Sequence, residues 1–425
     1  MKESIQTQPS FRFTLLFVVL WISLNFGNAQ DIAFPDAKGW AATTTGGRGG
    51  KIIKVTTLEP EGKGSFLEAV QTKGRRIIVF EVAGIIDLKG KIIDISEPYL
   101  TIAGQTAPSP GITFIDGGIT IQTHDVIVQH IRIRTGASRH EVGWEPDGMA
   151  TNRAYNVIID HCTFTWAVDE NCSASGPRFE GNTPDEWRKN TSRSITISNN
   201  IIAEGLSKAT HPKGEHSKGT LIHDNATDIL IYGNLYANNV ERNVRFKGGS
   251  RGVQANNLIY NPGRGVIHYS IVPSEWGDRP YQTGKLSIVG NHLILGPSSS
   301  PNLPLVRAGE GPCELYMHDN LAFNNDGTPT QLYQGDDSKI VKSKPIWHET
   351  VAPLPASEVK EYVLKNAGAR PWDRDFHDQR IIDQVKNNQG KIIHYETEVG
   401  GYPSLSPTRQ KFKKSEWDLR YMTRK

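Results

Sequence analysis

The chain reads as an all-β protein, a single-domain parallel β-helix, on three observations. One short frame recurs between Val126 and Asn325: apolar, any residue, apolar, two residues, then a fixed slot. Ile195, Ile197 and Asn200 set it, and Ile229, Ile231 and Asn234, Leu286, Ile288 and Asn291, and Leu315, Met317 and Asn320 repeat it. Asn257 fills the slot in a degraded copy, while Cys162 (after Val157 and Ile159) and Ile131 (after Val126 and Val128) put sulfur or alkyl there. Second, alternation with period two is the mark of a strand, and a spacing of about 23 to 38 residues is that of a repeat architecture. Third, asparagine in one slot of successive turns predicts stacked amides, each satisfying backbone that a bend leaves unpaired. Such a coil presents a long flat face, better suited to a polymer than to a small molecule.

The elements follow in order. Lys2 and Arg12 precede an apolar run from Phe13 to Leu24 and then Gly27-Asn28-Ala29. The run falls short of the roughly 20 residues needed to span a bilayer, so residues 1–29 are expected to be a secretory signal peptide cleaved after Ala29. The protein is then secreted, to the exterior or to a bacterial periplasm. Residues 30–350 form the β-helix domain. Thr45 to Gly50 is glycine-rich but lacks the following helix and Lys-Ser/Thr pair of a phosphate cradle. A strand (Ile52 to Val55), a short helix (Ser65 to Thr72) and a strand (Arg76 to Val82) come next, the helix capping the open end of the coil. From Tyr99 to Ile346 short strands and loops alternate, with residues 172–192 read as a polar insertion. Helices are expected over Ser357 to Asn366 and Asp375 to Asn387, in a segment, 351–425, that covers the coil.

Composition narrows the function classes. A net charge of +3, with no run or helical stripe of Lys and Arg, argues against nucleic acid. No segment after the leader is long and apolar enough to span a membrane, and a monomer is expected. Three cysteines are too few for a disulfide framework. Cys162 sits in a core slot, so Cys162, Cys172 and Cys313 are expected to be core thiols.

Two charged clusters stand out. The acidic one is Glu145-Pro-Asp147 before one turn and Asp169-Glu170 after the next strand. Residues one coil apart stack about 4.8 Å apart, and carboxylates brought that close repel unless they hold a cation such as calcium, which favours hard oxygen ligands. The basic one is Lys213, His216 and Lys218, followed by Arg242, Arg245 and Lys247. Aligned down one face, such groups bind a row of carboxylates on an anionic sugar chain. Asp160 and Trp166 are expected to be structural.

These residues resemble the pectate lyases, in particular the secreted microbial branch that includes the pectate trisaccharide-lyases. The likeness runs through Ala33-Phe-Pro35, Thr45-Gly-Gly-Arg-Gly-Gly50, Thr101 to Ala107, His130 to Arg134, Val157 to Phe164, Trp166 to Asn171, Asn200 to Gly205 and Arg242 to Gly249. It implies a right-handed parallel β-helix and calcium-dependent β-elimination on α-1,4-linked galacturonan, giving unsaturated oligogalacturonides. Asp147 matches the family's first calcium-binding aspartate and Asp169 the last. Arg242 matches the catalytic arginine, and Lys218 and Lys247 match basic substrate contacts, with Arg245 beside them. The chain departs from the pattern at Thr165, where the family has a glutamate ligand, which leaves Glu170 or Glu145 to supply that carboxylate. Glu145 also stands where the family has an aspartate, Val244 where it has proline, and Lys247 where it has arginine.

The alternative readings are a polygalacturonase-type hydrolase and a non-catalytic polysaccharide-binding β-helix. Arg245-Phe246-Lys247 supplies the hydrolase's Arg-x-Lys, but the chain has no Gly-His-Gly, and the adjacent aspartates Asp336-Asp337 fall late in a loop. A calcium-independent pectin lyase fits the four carboxylates poorly.

Overall fold

Ten strands, from Lys51–Val55 to Cys313–His318, stack side by side in one parallel sheet, the first face of a coil. The structure is a computed structural model that describes Met1 and residues 31–425. The expected leader thus lies, Met1 apart, outside the described residues, and Ile32–Lys425 make up one compact unit. Stacking is in phase with the repeat: Ile195 pairs with Val157 on one side and Ile229 on the other, and Ile197 with Ile159 and Ile231. Like residues therefore meet like residues, and every second side chain enters one continuous buried core.

From the first-face strand His124–Gln129 onward, the chain bends after each such strand and lays down two short strands. The second face runs through Ile131–Arg134, Thr163–Thr165, Ile201–Ala203, Leu235–Ala237 and Leu258–Tyr260. The third runs through Met149–Asn152, Glu170–Ser175, Lys218–Ile222, Arg245–Lys247 and Ile267–Ser270. Residues 172–175, read from sequence as the start of a polar insertion, belong to one of these strands, Glu170–Ser175, with Cys172 and Ala174 in the core. Its polar alternate residues belong to a face, and only the stretch beyond Gly176, with the helix Pro184–Asn190, departs from the coil. The structure is a parallel β-helix.

The asparagine slot marks the bend from first to second face. Asn200 Nδ2 donates to Asn234 Oδ1 at 2.9 Å, Asn234 to Asn257 at 2.9 Å, Asn257 to Asn291 at 3.0 Å and Asn291 to Asn320 at 3.1 Å. Each side chain also binds backbone: Asn200 Nδ2 donates to the Ile159 carbonyl at 3.1 Å, and Asn200 Oδ1 accepts from the Cys162 N–H at 2.7 Å. Bend and stack thus satisfy one another, and Cys162, Cys172 and Cys313 are all buried free thiols.

Segments from both ends of the unit Ile32–Lys425 pack on this coil. The helix Phe66–Gln71, capped by Ser65 at the Glu68 N–H (3.2 Å), drops Phe66 against Phe80 and Phe114. The helices Ala356–Asn366 and Phe376–Lys386 lay Val359, Val363, Ile381 and Ile382 on Ile201, Leu235 and Leu258 of the second face. Beside that patch the buried Arg132 and Arg134 meet Asp378 at 3.1 and 2.8 Å, and Arg134 meets Asp375 at 2.8 Å. Residues 33–42 cover part of the first face through Ile127 and Ile158. Among the described residues no helix is long and apolar enough to cross a membrane.

Candidate active site

The third face brings the two charged clusters together. Register pairs Glu170 with Lys218, and Lys218 bridges to Glu241, so the corners carrying Asp147, Asp169-Glu170, Lys218 and Glu241-Arg242 follow one another along the coil. A cleft of about 550 Å³ opens beside them, lined by Glu145, Asp147, Asn152, Arg153 and Ser173 among others. A larger cavity, of about 920 Å³, lies elsewhere, against His130, Asp160, His161 and Trp372, and contains none of the expected site residues.

Asp147, Asp169 and Glu170 each offer an oxygen, all within 4.8 Å of one another. Asp147 is fixed by the Glu170 N–H (3.0 Å) and the Ser173 hydroxyl (2.5 Å). Burial, then the charge of Asp169, pushes its carboxyl up to about 7, with Ser173 and Arg242 pulling the other way. An all-oxygen set under mutual repulsion is the donor chemistry of a hard divalent cation, and these three residues fit calcium. Glu145 is not among them: it is half exposed and lies 3.1 Å from His211 Nε2.

Arg242 stands at a corner in the left-handed region (φ 62°), a conformation uncommon for a residue with a side chain. The Gly219 and Thr220 N–H groups hold the Glu241 and Arg242 carbonyls, at 3.1 and 2.6 Å. Its guanidinium forms an ion pair with Glu170. Burial, then neighbouring Arg245, lowers its pKa to about 10, against the pull of Asp169 and Asp147.

The other basic residues differ. Lys218 is buried and ion-paired with Glu241, whose carboxyl burial would raise but Lys218 and Arg264 hold at about 2. Lys247 is committed to Asp224 (3.2 Å) and Glu275, in a network completed by Arg178 and the Trp276 indole N–H. Arg245 is half-buried and, among the described residues, has no ion-pair partner, leaving its charge open to a ligand. Asp160 accepts from His161, Ser198 and Asn199 at 2.7 to 3.0 Å in a structural cluster away from these groups, and Trp166 is buried.

Sequence reasoning missed a second amide relay beneath the charges. Asn171 Nδ2 donates to Asn239 Oδ1 at 3.2 Å, Asn239 Nδ2 to Asn243 Oδ1 at 3.1 Å, and Asn243 Nδ2 to the Gly265 carbonyl at 3.0 Å. Asn171 follows Asp169-Glu170 and Asn243 follows Arg242, so the relay ties the carboxylate corner to the arginine corner. Asparagine directly after each charged pair, Asp169-Glu170-Asn171 and Glu241-Arg242-Asn243, was the available signal.

No family model matches the chain. Among curated proteins it is 32% identical over 386 residues to a probable pectate lyase C of Emericella nidulans, spanning 88% of this chain and 81% of that protein. It is 34% identical over 382 residues to a probable pectate lyase C of Aspergillus terreus, spanning 87% and 81%. Among solved structures, a pectate lyase bound to a hexasaccharide superposes with a TM-score of 0.55 at 15% identity, over 81% of this chain and 99% of that one. A Bacillus subtilis pectate lyase mutant superposes at 0.53, with 15% identity, over 80% and 98%; these two agree in fold. Identity above 30% over most of both curated relatives carries the assignment: the chain belongs to the pectate lyases, a family of polysaccharide lyases.

Proposed function

We propose that the protein is a secreted, calcium-dependent lyase that cleaves α-1,4-linked galacturonan by β-elimination and releases unsaturated oligogalacturonides. The observation that carries this reading is one corner of the third face, where Asp147, Asp169 and Glu170 converge and the depressed guanidinium of Arg242 meets them.

The chemical difficulty is acidity, because removing the C5 proton beside a uronate carboxylate adds negative charge to it. Calcium bound to Asp147, Asp169 and Glu170 supplies electrostatic neutralisation there. Arg245, with its open charge, binds a uronate carboxylate, and Lys218 lends its ammonium from the neighbouring coil. Arg242 takes the proton from C5. The C5–H electron pair becomes the C4–C5 double bond, the C4–O bond breaks, and the departing oxygen takes a proton from solvent; no water is added across the bond. An arginine ordinarily titrates above about 12, so the value of about 10 produced by burial and Arg245 moves it toward the neutral form a base requires.

The test is the ultraviolet absorbance of the new double bond during incubation with polygalacturonate at alkaline pH, with calcium and again with excess chelator. A rise that chelator abolishes is expected. Reducing ends without absorbance would show hydrolysis, and neither signal would leave a binding protein.

A further inference from the structure

We propose that the chain carries a second cation site, nitrogen-rich and suited to a zinc-class divalent ion, formed by His211, His216 and Asp169. Their donor atoms all lie within 4.8 Å of one another. The two imidazoles stack face to face, centroids 3.3 Å apart and planes 13° apart, so one ring turns out of the stack for both in-plane lone pairs to meet at a single ion. His216 Nε2 lies 3.5 Å from Asp169 Oδ1, and His211 Nε2 lies 3.1 Å from Glu145 Oε2, so both nitrogens are turned toward carboxylates.

The local sequence builds this pair. In His211-Pro-Lys-Gly-Glu-His216 the Gly214 N–H closes a turn on the His211 carbonyl at 3.0 Å, with Gly214 at φ 81°, and the His216 N–H binds the Ser207 carbonyl at 2.8 Å. The four residues between are exposed while both histidines are buried. A turn of this kind is a chelate loop: it returns the second ring to the side of the first.

Two imidazoles and one carboxylate form a borderline donor set that zinc, nickel or copper takes in preference to calcium. A tetrahedral ion about 2.1 Å from each donor places them roughly 3.4 Å apart, so the set closes by about 1 Å or a little more. Closure also moves one proton. The Lys213 N–H, 3.1 Å from His211 Nδ1, holds that ring with its hydrogen on Nε2. Ligation through Nε2 shifts the hydrogen to Nδ1 and releases two contacts, the Lys213 N–H at Nδ1 and Glu145 at Nε2.

Asp169 belongs to both sets, so an ion between the histidines withdraws a carboxylate from the oxygen cluster and opposes calcium. The site stands on the histidines; its effect on turnover rests on the calcium reading above.

The experiment is a titration of tag-free full-length protein, stripped by chelator, with Co²⁺, followed by its visible d–d bands. One tetrahedral cobalt per chain is expected, with the bands lost in His211→Gln and in His216→Gln, each checked for a cooperative thermal melt. Absent bands in the native chain, or bands unchanged in both folded variants, overturn the site. Copper electron paramagnetic resonance on the native chain needs no variant: coupling to two nitrogens is expected, and an oxygen-only spectrum overturns it. Zinc inhibition that calcium relieves, and that disappears in His216→Gln, is the expected consequence. Histidine-dependent cobalt bands in a chain that shows no elimination would leave the site standing and refute the lyase reading.

Discussion

Two corners of the coil use the same device for different ends. At the bend between first and second faces, Asn200 to Asn320 pass hydrogen bonds from amide to amide through five coils, with apolar strands on either side. On the approach to the third face, Asn171, Asn239 and Asn243 do the same with Asp169-Glu170 and Arg242 attached. The first stack satisfies backbone at a bend. The second does so too, and in doing so fixes where opposite charges meet. A neutral, buried hydrogen-bonded frame is thus what allows repelling carboxylates and a desolvated arginine to share one place.

The sharpest way to break the comparison is at the charged corner itself. Arg242→Lys is expected to lower kcat by about 10³-fold, the scale of a lost general base, while the substrate dissociation constant barely changes; retained turnover would remove Arg242 from the role. Next comes pH. Asp147 is held near 7, above the ordinary carboxylate value, so it must lose a proton to bind a cation. Calcium affinity is therefore expected to rise about tenfold per pH unit up to about pH 7 and then level off. Calorimetry checks this, and a flat profile would show that Asp147 is not a ligand. Turnover at saturating calcium should climb further, toward about pH 10, as Arg242 deprotonates.

A smaller effect separates the two stacks. Asn234→Ala and Asn239→Ala each strand buried partners and should cost about 1–3 kcal/mol of stability, measured by denaturant. Only Asn239→Ala is expected to lower kcat as well, by about tenfold, through a displaced Arg242. Equal kcat values in the two variants would mean that the second relay is structural alone. Smallest is Arg245→Ala, expected to raise KM several-fold with kcat nearly kept. Lys247→Ala, by contrast, should show chiefly as lost stability, because Arg178 alone is left to balance its partners Asp224 and Glu275.

The residues that could be read from sequence are those that repeat. Ile195, Ile197 and Asn200 recur at the same offsets in successive coils, so a short window contains all the information about strand, bend and stack. The C-terminal helices were legible for the same reason: Asp375 caps the helix Phe376–Lys386, and apolar residues recur at helical spacing. The strand Glu170–Ser175 was misread because the core residues Cys172 and Ala174 alternate with the polar Asn171, Ser173 and Ser175, which in isolation looks like a loop.

The sequence by itself determined the coil, its amide stack and the residue types at the site, because hydrophobic period and hydrogen-bonding capacity are local properties. Only the tertiary structure decided which charges meet. Lys218 and Lys247 look alike in sequence, yet one pairs with Glu241 beside the carboxylates and the other with Asp224 and Glu275. Glu145 and Glu170 were equal candidates, yet one reaches His211 and the other Arg242. Loops of unequal length separate these partners, so their spacing carries no signal. Electrostatic energy falls with distance through space and not along the chain, and that distance exists only once the coil has closed.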